Sequence, residues 1–151
     1  MRRLPRSLRE WRIFVDTSAY FALLDPTDEH HAEAVAILRQ LAQQRYRHYT
    51  TNMLLIEAHA LLLSELGIDR ARQFIREIRA GNTVIVRVRA SDEERAEQIL
   101  FRYTDKDFSF ADAISFAVME RLGIQLVFTF DHHFEQYGVT IVSADLLARG
   151  L

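Results

Sequence analysis

The sequence predicts a single α/β domain over residues 1–151, with a central parallel sheet of about four to five strands flanked by helices. Three observations support this fold class. The chain has 151 residues, 49% hydrophobic and 26% charged, which is ordinary for one globular domain. Short apolar segments alternate along the chain with longer segments of helical spacing. The short segments are apolar throughout, as expected for strands that are buried on both faces.

The predicted strands are short and β-branched, and the first of them, residues 12–15, stops at Asp16. Strands are predicted at residues 12–15, 49–51, 83–88, 126–130 and 139–142. Helices are predicted between the strands from apolar spacing, with glycines at several of their ends and Asp69 as the cap of the fourth. The predicted helices cover residues 19–24, 29–45, 52–66, 69–80, 91–102 and 109–122.

Composition excludes several classes of function. The chain has no cysteine, which rules out disulfides, thiolate zinc sites and cysteine nucleophiles. A net charge of −2 argues against binding nucleic acid through bulk positive charge, although the basic residues are arginines except for Lys106, and arginine suits phosphate contacts. No apolar run is long enough to cross a membrane, and no apolar region follows the basic N-terminus. We therefore expect a cytoplasmic protein.

Glu57 is the one charged residue in the apolar segment 53–63, which we expect to form a helix buried on all sides. A buried carboxylate without a partner costs several kcal/mol. Glu57 therefore needs a cation or a strong hydrogen-bonding partner. A structural salt bridge to an arginine would also satisfy this need.

Asp112 lies in a second apolar segment, residues 108–119, where it forms a narrow polar seam with Ser109 and Ser115. This seam falls in the first turns of a predicted helix. An acid in a first turn is favoured by the helix dipole alone, so Asp112 has a structural explanation as well as a functional one.

Asp16 and Asp131 each follow an apolar segment that we predict to be a strand. In parallel α/β sheets, ligands bind at the carboxyl ends of the strands. Capping of the following helix would explain either residue separately.

The four acids together are harder to explain by capping and salt bridges. If the strands before Asp16 and Asp131 are parallel neighbours, both acids emerge at one edge, where Asp112 and Glu57 can reach them. Two carboxylates about 5 Å apart repel by roughly 3 kcal/mol at an effective dielectric constant near 20. A cation would offset this repulsion, and oxygen ligands without thiolates favour Mg²⁺ or Mn²⁺ over Zn²⁺.

The four stretches around these acids resemble the PIN-domain ribonucleases, in particular the compact VapC-like toxins of bacterial toxin–antitoxin pairs. The resemblance extends from Phe14 to about Val142 and rests on four motifs in order. They are Val-Asp-Thr-Ser at 15–18 with Phe-Ala-Leu-Leu at 21–24, Thr-Asn at 51–52 with Leu-Ile-Glu at 55–57, Phe-Ser-Phe-Ala-Asp-Ala-Ile-Ser-Phe at 108–116, and Phe-Thr-Phe-Asp-His-His-Phe at 128–134.

The resemblance implies that Asp16, Glu57, Asp112 and Asp131 are the catalytic, metal-binding residues of a Mg²⁺- or Mn²⁺-dependent endoribonuclease, which hydrolyses RNA phosphodiester bonds through metal-activated water. Polar positions that support the site fall on three further residues: Thr17, Ser18 and Thr129. Ala111 departs from the family, whose members often carry threonine or serine there. We expect Asp107 to lie outside the ligand set. The implied partners are an RNA substrate, a cognate antitoxin and a second copy of the chain.

The histidines and arginines of the chain have structural as well as functional explanations. We expect His132 and His133 to have surface or packing roles, and His59 to be a core histidine with one hydrogen bond. A solvated face, partly paired in salt bridges, or an RNA-phosphate surface would account for two groups of arginines. These groups are Arg72, Arg76, Arg79, Arg87 and Arg89, and, at the N-terminus, Arg2, Arg3, Arg6 and Arg9.

Two alternatives to a toxin nuclease stay open at this point. The chain could be a stand-alone RNA-processing nuclease of the same fold. It could also be a non-catalytic protein that binds RNA or an antitoxin, although a binding module has no need for four mutually repelling carboxylates. Phosphatases of the haloacid-dehalogenase type are disfavoured because Asp16 is followed by Thr17 and Ser18, without a second aspartate.

Overall fold

A computed structural model describes residues 11–150 of the chain. Five strands and eight helices form within this range. In chain order they are β1 (Arg12–Val15), α1 (Thr17–Leu24), α2 (His31–Gln43), β2 (Arg47–Thr51), α3 (Asn52–Leu66), α4 (Ile68–Ala80), β3 (Val84–Val86), α5 (Ala90–Arg102), α6 (Phe110–Leu122), β4 (Leu126–Phe128), α7 (His133–Tyr137), β5 (Thr140–Ile141) and α8 (Ala144–Ala148).

The strands form one sheet in the order β3-β2-β1-β4-β5, and every pairing within it is parallel. The predicted α/β class and the number of strands are therefore confirmed. β1 lies at the centre, with Phe14 opposite Val127 and Val15 opposite Phe128 in β4. All carboxyl ends point to the same edge of the sheet, as parallel pairing requires.

Apolar layers cover both faces of the sheet. Ile13 and Val15 point into one layer, which contains buried side chains of α1, α2, α3, α4 and α8. Phe14 points into the other, which is formed mainly by α5 and α6. Alternate residues of β1 thus enter opposite cores, and this explains why the strand is apolar at consecutive positions. Among the described residues, no helix is both long enough and apolar enough to cross a membrane.

The boundaries depart from the predictions where turn chemistry decides them. β3 and β4 end earlier than predicted, and the two short helices α7 and α8, the latter capped by Ser143, were not predicted. Asp69 does not cap α4, because Gly67 both ends α3 and begins α4. Gly67 has a φ of 92°, in the region that favours glycine, and its N–H donates to the carbonyl of Leu62 at 3.1 Å.

Asp92 fastens α5 to α6 through a buried carboxylate. It is 2% exposed, accepts the N–H of Arg89 at 2.8 Å, and receives Nε and Nη2 of Arg121 at 2.8 and 2.9 Å. Burial acts to raise the pKa of Asp92, but the hydrogen bonds and charge of Arg121 outweigh it, so the pKa lies below its ordinary value. A bidentate ion pair between Arg121 and Asp92 therefore joins α6 to α5.

We expect Asp92→Asn to lower the free energy of unfolding by about 1–3 kcal/mol, since it leaves Arg121 without its carboxylate partner. Because the pKa is lower in the folded state, this stabilisation is present above about pH 4 and is lost as the pH falls through the folded pKa. Urea melts between pH 3 and 7 would measure both effects. As a control, Arg149→Gln, which removes an exposed pair with Asp145, should cost no more than about 0.5 kcal/mol. Equal losses in the two variants would contradict this role of Asp92.

Candidate active site

The carboxyl ends of β1 and β4 bring two of the predicted acids to one place. The N–H of Asp16 continues the pairing of these strands and donates to the carbonyl of Phe128 at 3.1 Å. The chain then leaves β4 through Thr129 and Phe130 to Asp131. The expected parallel, neighbouring arrangement of the two strands is therefore present.

Asp16 is buried and held by hydroxyl groups. It is 8% exposed, and its Oδ2 accepts the hydroxyls of Thr129 at 2.9 Å and Ser18 at 3.0 Å. The N–H of Ser18 also reaches Oδ2, at 3.4 Å, so Asp16 caps α1 as well. Burial raises the pKa of Asp16 despite these hydrogen bonds. Capping and a place in the acidic site are thus combined in one residue.

Ser18 and Thr129 connect the two strand ends to each other. Their hydroxyl oxygens lie 3.0 Å apart. Ser18 Oγ accepts the N–H of Phe130, and Thr129 Oγ1 accepts the N–H of Asp131, each at 3.0 Å. Both residues therefore contact the site, as the resemblance implied. The hydroxyl of Thr17 is directed elsewhere and donates to the carbonyl of Leu54 at 3.4 Å.

Asp112 enters the site from the first turn of α6. Its N–H donates to Ser109 Oγ at 3.0 Å, and its Oδ2 accepts the N–H of Ser109 at 3.1 Å, forming a capping box. The same Oδ2 lies 2.9 Å from Nδ1 of His133. Asp112, Asp131 and His133 each offer a ligand atom, and these atoms all lie within 4.8 Å of one another.

His133 corrects the prediction of a surface or packing role for both adjacent histidines. Its Nδ1 lies 3.3 Å from Asp131 as well as 2.9 Å from Asp112, and Nε2 lies 3.3 Å from Asp107. His132 is 70% exposed and does have a surface position. His132 approaches only Asp131, with its Nδ1 3.9 Å from that carboxylate, whereas His133 contacts three acids. The sequence alone did not indicate which histidine would do so.

The three carboxylates around His133 change its proton affinity. Partial burial acts to lower the pKa of His133, but the charges of Asp131, Asp112 and Asp107 more than reverse this and raise it above the ordinary value. A protonated imidazole therefore offsets part of the repulsion between Asp112 and Asp131. Asp107 is 93% exposed and contacts Nε2 of the histidine, whereas the other two acids lie at Nδ1.

Glu57 reaches the same site, but the prediction that its helix is buried on all sides is wrong. Glu57 and Ile56 are both exposed, because α3 packs its apolar residues against the sheet and α4 and leaves its outer face open. Desolvation raises the pKa of Glu57, and the charges of Asp16, Asp112 and Asp131 raise it further. Glu57 thus senses the charge of the other three acids, whereas within residues 11–150 the ligand atoms that lie within 4.8 Å of one another belong to Asp112, Asp131 and His133.

The donor set suits a hard divalent cation. It consists of carboxylate oxygens with one imidazole, and the chain supplies no thiolate. Part of the rise in the pKa of Glu57, after desolvation, comes from the negative charge of the three aspartates, which a cation would relieve. Asp16, Glu57, Asp112 and Asp131 are the residues that could hold such an ion.

A comparison with protein-family models finds the PIN domain, matched over residues 13–139. The chain belongs to the PIN-domain family. Among curated proteins, this PIN domain is similar to the 23S rRNA-specific endonuclease VapC20 of Mycobacterium tuberculosis. The two are 39% identical over 127 residues, which cover 83% of this chain and 94% of VapC20. It is also 29% identical to a VapC ribonuclease of Archaeoglobus fulgidus, over 80% of this chain and 77% of that protein.

Solved structures agree with the sequence relatives. The crystal structure of M. tuberculosis VapC20 matches with a TM-score of 0.77 and 34% identity, over 87% of this chain and 98% of that one. DNA-bound VapBC from Salmonella typhimurium matches with a TM-score of 0.63 at 15% identity, over 87% and 96%, and shares the fold. This PIN domain is therefore a nuclease of the VapC type.

The remaining basic residues lie beside the site rather than in it. His59 is not a core histidine: it is half-exposed on α3 and lines a groove with Arg79 and Arg87. The pattern of residues 83–88 also predicts that Arg87 and Arg89 share one face of a strand, and this is wrong because β3 ends at Val86. The arginines at the N-terminus, Arg2, Arg3, Arg6 and Arg9, lie outside the described residues.

We expect the acids to differ in their effect on stability in the absence of metal. Glu57→Gln should raise the free energy of unfolding by up to about 1 kcal/mol, because it relieves repulsion at a solvent-screened position. Asp112→Ala should lower it by about 1–2 kcal/mol, because the capping box and the His133 contact are lost. Thermal melts in EDTA would measure both. Mn²⁺ should then stabilise the wild type more than Glu57→Gln. A lower melting temperature for Glu57→Gln in EDTA would contradict repulsion at this site.

Proposed function

We propose that residues 1–151 form one PIN domain that acts as a Mg²⁺- or Mn²⁺-dependent endoribonuclease, with Asp16, Glu57, Asp112 and Asp131 as its catalytic, metal-binding residues. The observation that carries the proposal is the cluster of Asp112, Asp131 and His133, with Asp16 at the end of the neighbouring strand and Glu57 close enough to feel the charges of all three aspartates. A charge concentration of this kind is unfavourable to the fold by itself and has a clear use in holding a cation.

The chain's own residues prepare the site in distinct ways. Thr129 and Ser18 both donate to Oδ2 of Asp16, which fixes the orientation of that carboxylate. His133 spans Asp112 and Asp131 and holds them at coordinating distance. When bound, the ion supplies activation of water and stabilisation of charge at the phosphate. Glu57 is exposed on α3, so its carboxylate is open to solvent beside the three aspartates.

Ribosomal RNA is the substrate that we propose. VapC20, at 39% identity, is named a 23S rRNA-specific endonuclease, and its crystal structure is described as that of a sarcin-ricin loop cleaving toxin. The similarity covers most of both chains, and the family match over residues 13–139 includes all four acids. We accordingly propose that this PIN domain works in the cytoplasm and cuts an exposed loop of large-subunit RNA.

We expect Asp112→Asn to lower the rate of RNA cleavage at least about 100-fold. The reason is that Asp112 is proposed to bind the metal directly, and loss of such a residue costs more than loss of one that only supports a metal-binding side chain. Purified wild type and variant would be incubated with intact ribosomes and with a mixed RNA pool, in Mg²⁺, Mn²⁺ or EDTA. Cleavage sites would be mapped by primer extension. Asp145→Asn makes the same chemical change on exposed α8 and is the matched control, with unchanged activity expected.

The outcomes separate the alternatives. Metal-dependent cuts at one ribosomal site, lost only in Asp112→Asn, would support the proposal. Cuts in other RNAs but not in ribosomes would favour a stand-alone processing nuclease. Binding of RNA without cleavage by the wild type, in either metal, would contradict the endonuclease and favour a binding protein.

We propose two protein partners, a cognate antitoxin and a second copy of this chain. One structural neighbour is described as DNA-bound VapBC, and the resemblance to VapC-like toxins implies an antitoxin for this chain. Large apolar side chains remain exposed and could be covered by partners: Leu63 is 44%, Ile68 50% and Phe101 78% exposed. Phe101, on α5, is the most open of them.

Light scattering of the purified chain should give a mass of two copies, each of 17.6 kDa. Phe101→Ser is expected to weaken either the dimer or the antitoxin complex, because a buried phenylalanine contributes about 2 kcal/mol or more to an interface. A small protein encoded beside this gene should co-purify with the chain and suppress cleavage. A monomer at all concentrations would contradict the dimer, and unchanged cleavage in the presence of the neighbouring gene product would contradict the antitoxin.

A further inference from the structure

A groove of about 380 Å³ runs between α3 and α4 and reaches the chain segment that follows β3. Its floor is apolar and includes Leu55, Ile56 and Ile75. Polar groups surround the floor: Asn52 and His59 from α3, with Arg79 and Arg87 opposite. We call this feature the α3–α4 groove.

The α3–α4 groove lies on the same edge of the sheet as the carboxylates. Asn52 begins α3 directly after β2, and Arg87 directly follows β3. In the sheet, β2 lies between β3 and β1. The carboxyl ends of β3 and β1 are therefore about 10 Å apart, which is two strand spacings. Ile56, on the groove, precedes Glu57, which interacts with the other acids. The groove therefore continues the acidic site along the sheet edge.

Three of the four polar side chains of the groove, those of His59, Arg79 and Arg87, make no hydrogen bond or ion pair with other described residues. Among residues 11–150, neither guanidinium of Arg79 and Arg87 pairs with a carboxylate, and the imidazole of His59 has no hydrogen-bonding partner. Ile56 is 70% exposed on the floor. Asn52 is the exception, because its Oδ1 accepts the N–H of Val88 at 3.0 Å and braces the segment after β3. The groove thus combines unpaired cationic groups with an apolar surface.

We propose that the α3–α4 groove is a subsite for an unpaired nucleotide of the RNA next to the cleaved bond. The base packs on Leu55, Ile56 and Ile75 with its edge towards His59, and the adjoining phosphates are bound by Arg79 and Arg87. Unstacked loop bases are recognised in this way, by apolar or aromatic contact with arginines on the backbone. The proposal rests on the endoribonuclease function and deepens it by naming how the substrate is held.

Charge favours RNA over a protein partner in this groove. The four carboxylates repel a phosphate backbone, so an RNA strand needs cationic contacts close to them. Arg79 and Arg87 supply these contacts at the same sheet edge, and guanidinium groups suit phosphate oxygens. A second copy of this chain, with a net charge of −2, offers less electrostatic attraction to the groove. Self-association through the groove is kept as an outcome of the test.

The test measures binding and cleavage with the full-length chain. Binding of a fluorescent RNA hairpin with an unpaired loop would be followed by anisotropy in EDTA, with Asp16→Asn as the parent so that the RNA stays intact. Arg87→Gln and His59→Ala would be made in this parent and in the wild type. Arg39→Gln, at an exposed position of α2, is the matched control for loss of one positive charge. Sedimentation velocity would give the mass of each variant.

Both groove variants should weaken hairpin binding and raise KM about tenfold, with kcat changed little. For Arg87→Gln, the slope of log K against log salt should fall by about 0.7, the effect of one lost phosphate contact on single-stranded RNA. His59→Ala should leave the slope unchanged and should lose affinity for loops more than for a blunt duplex. Arg39→Gln should leave both affinity and slope as in the parent.

Each contrary result overturns a definite part of the proposal. Cleavage by the wild type together with unchanged KM in Arg87→Gln and His59→Ala would reject the subsite and leave the endoribonuclease intact. A change of mass in these variants, at unaltered RNA affinity, would reject the subsite in favour of an interface between copies. An absence of cleavage by the wild type would reject the endoribonuclease, and the subsite with it.

Discussion

Repulsion between carboxylates at one edge of the sheet is the constraint on which the site depends. It arises because β1 and β4 are parallel neighbours, so the chain leaves both at the same end. The fold then has to supply compensation, and it does so with a few polar groups. Hydroxyls of Ser18 and Thr129 hold Asp16, and the imidazole of His133 lies between Asp112 and Asp131. The site is thus assembled before any cation is added.

Structural and functional roles coincide in the aspartates rather than compete. Asp16 caps α1, and Asp112 closes the capping box of α6, while both also take part in the acidic cluster. The free backbone N–H groups and the dipole at a helix N-terminus stabilise a carboxylate. This lowers the free-energy cost of bringing several carboxylates close together. A capping role is therefore compatible with a functional role for Asp16 and for Asp112. Measurements of stability report on both roles together, and measurements of cleavage report on the functional one.

Much of this arrangement could be predicted from the sequence, because it follows from backbone patterns. Uninterrupted apolar strands indicated a parallel sheet, and the positions of the aspartates after strands indicated where they would meet. Side-chain direction could not be obtained in the same way. The choice between His132 and His133 depends on the turn after Asp131, and the exposure of Glu57 depends on which face of α3 the sheet covers. The short α8 has a weak sequence signal and depends on tertiary packing.

Gly67 joins α3 to α4 with no loop between them, and this single residue determines how the two helices diverge. A side chain would meet no steric obstacle there, so the demand for glycine comes from its φ of 92° alone. The hinge fixes the separation of the helices while leaving the residues that face each other across the groove free to vary. Substitutions on these two faces would therefore alter the proposed nucleotide subsite without moving the strand ends that carry Asp16 and Asp131.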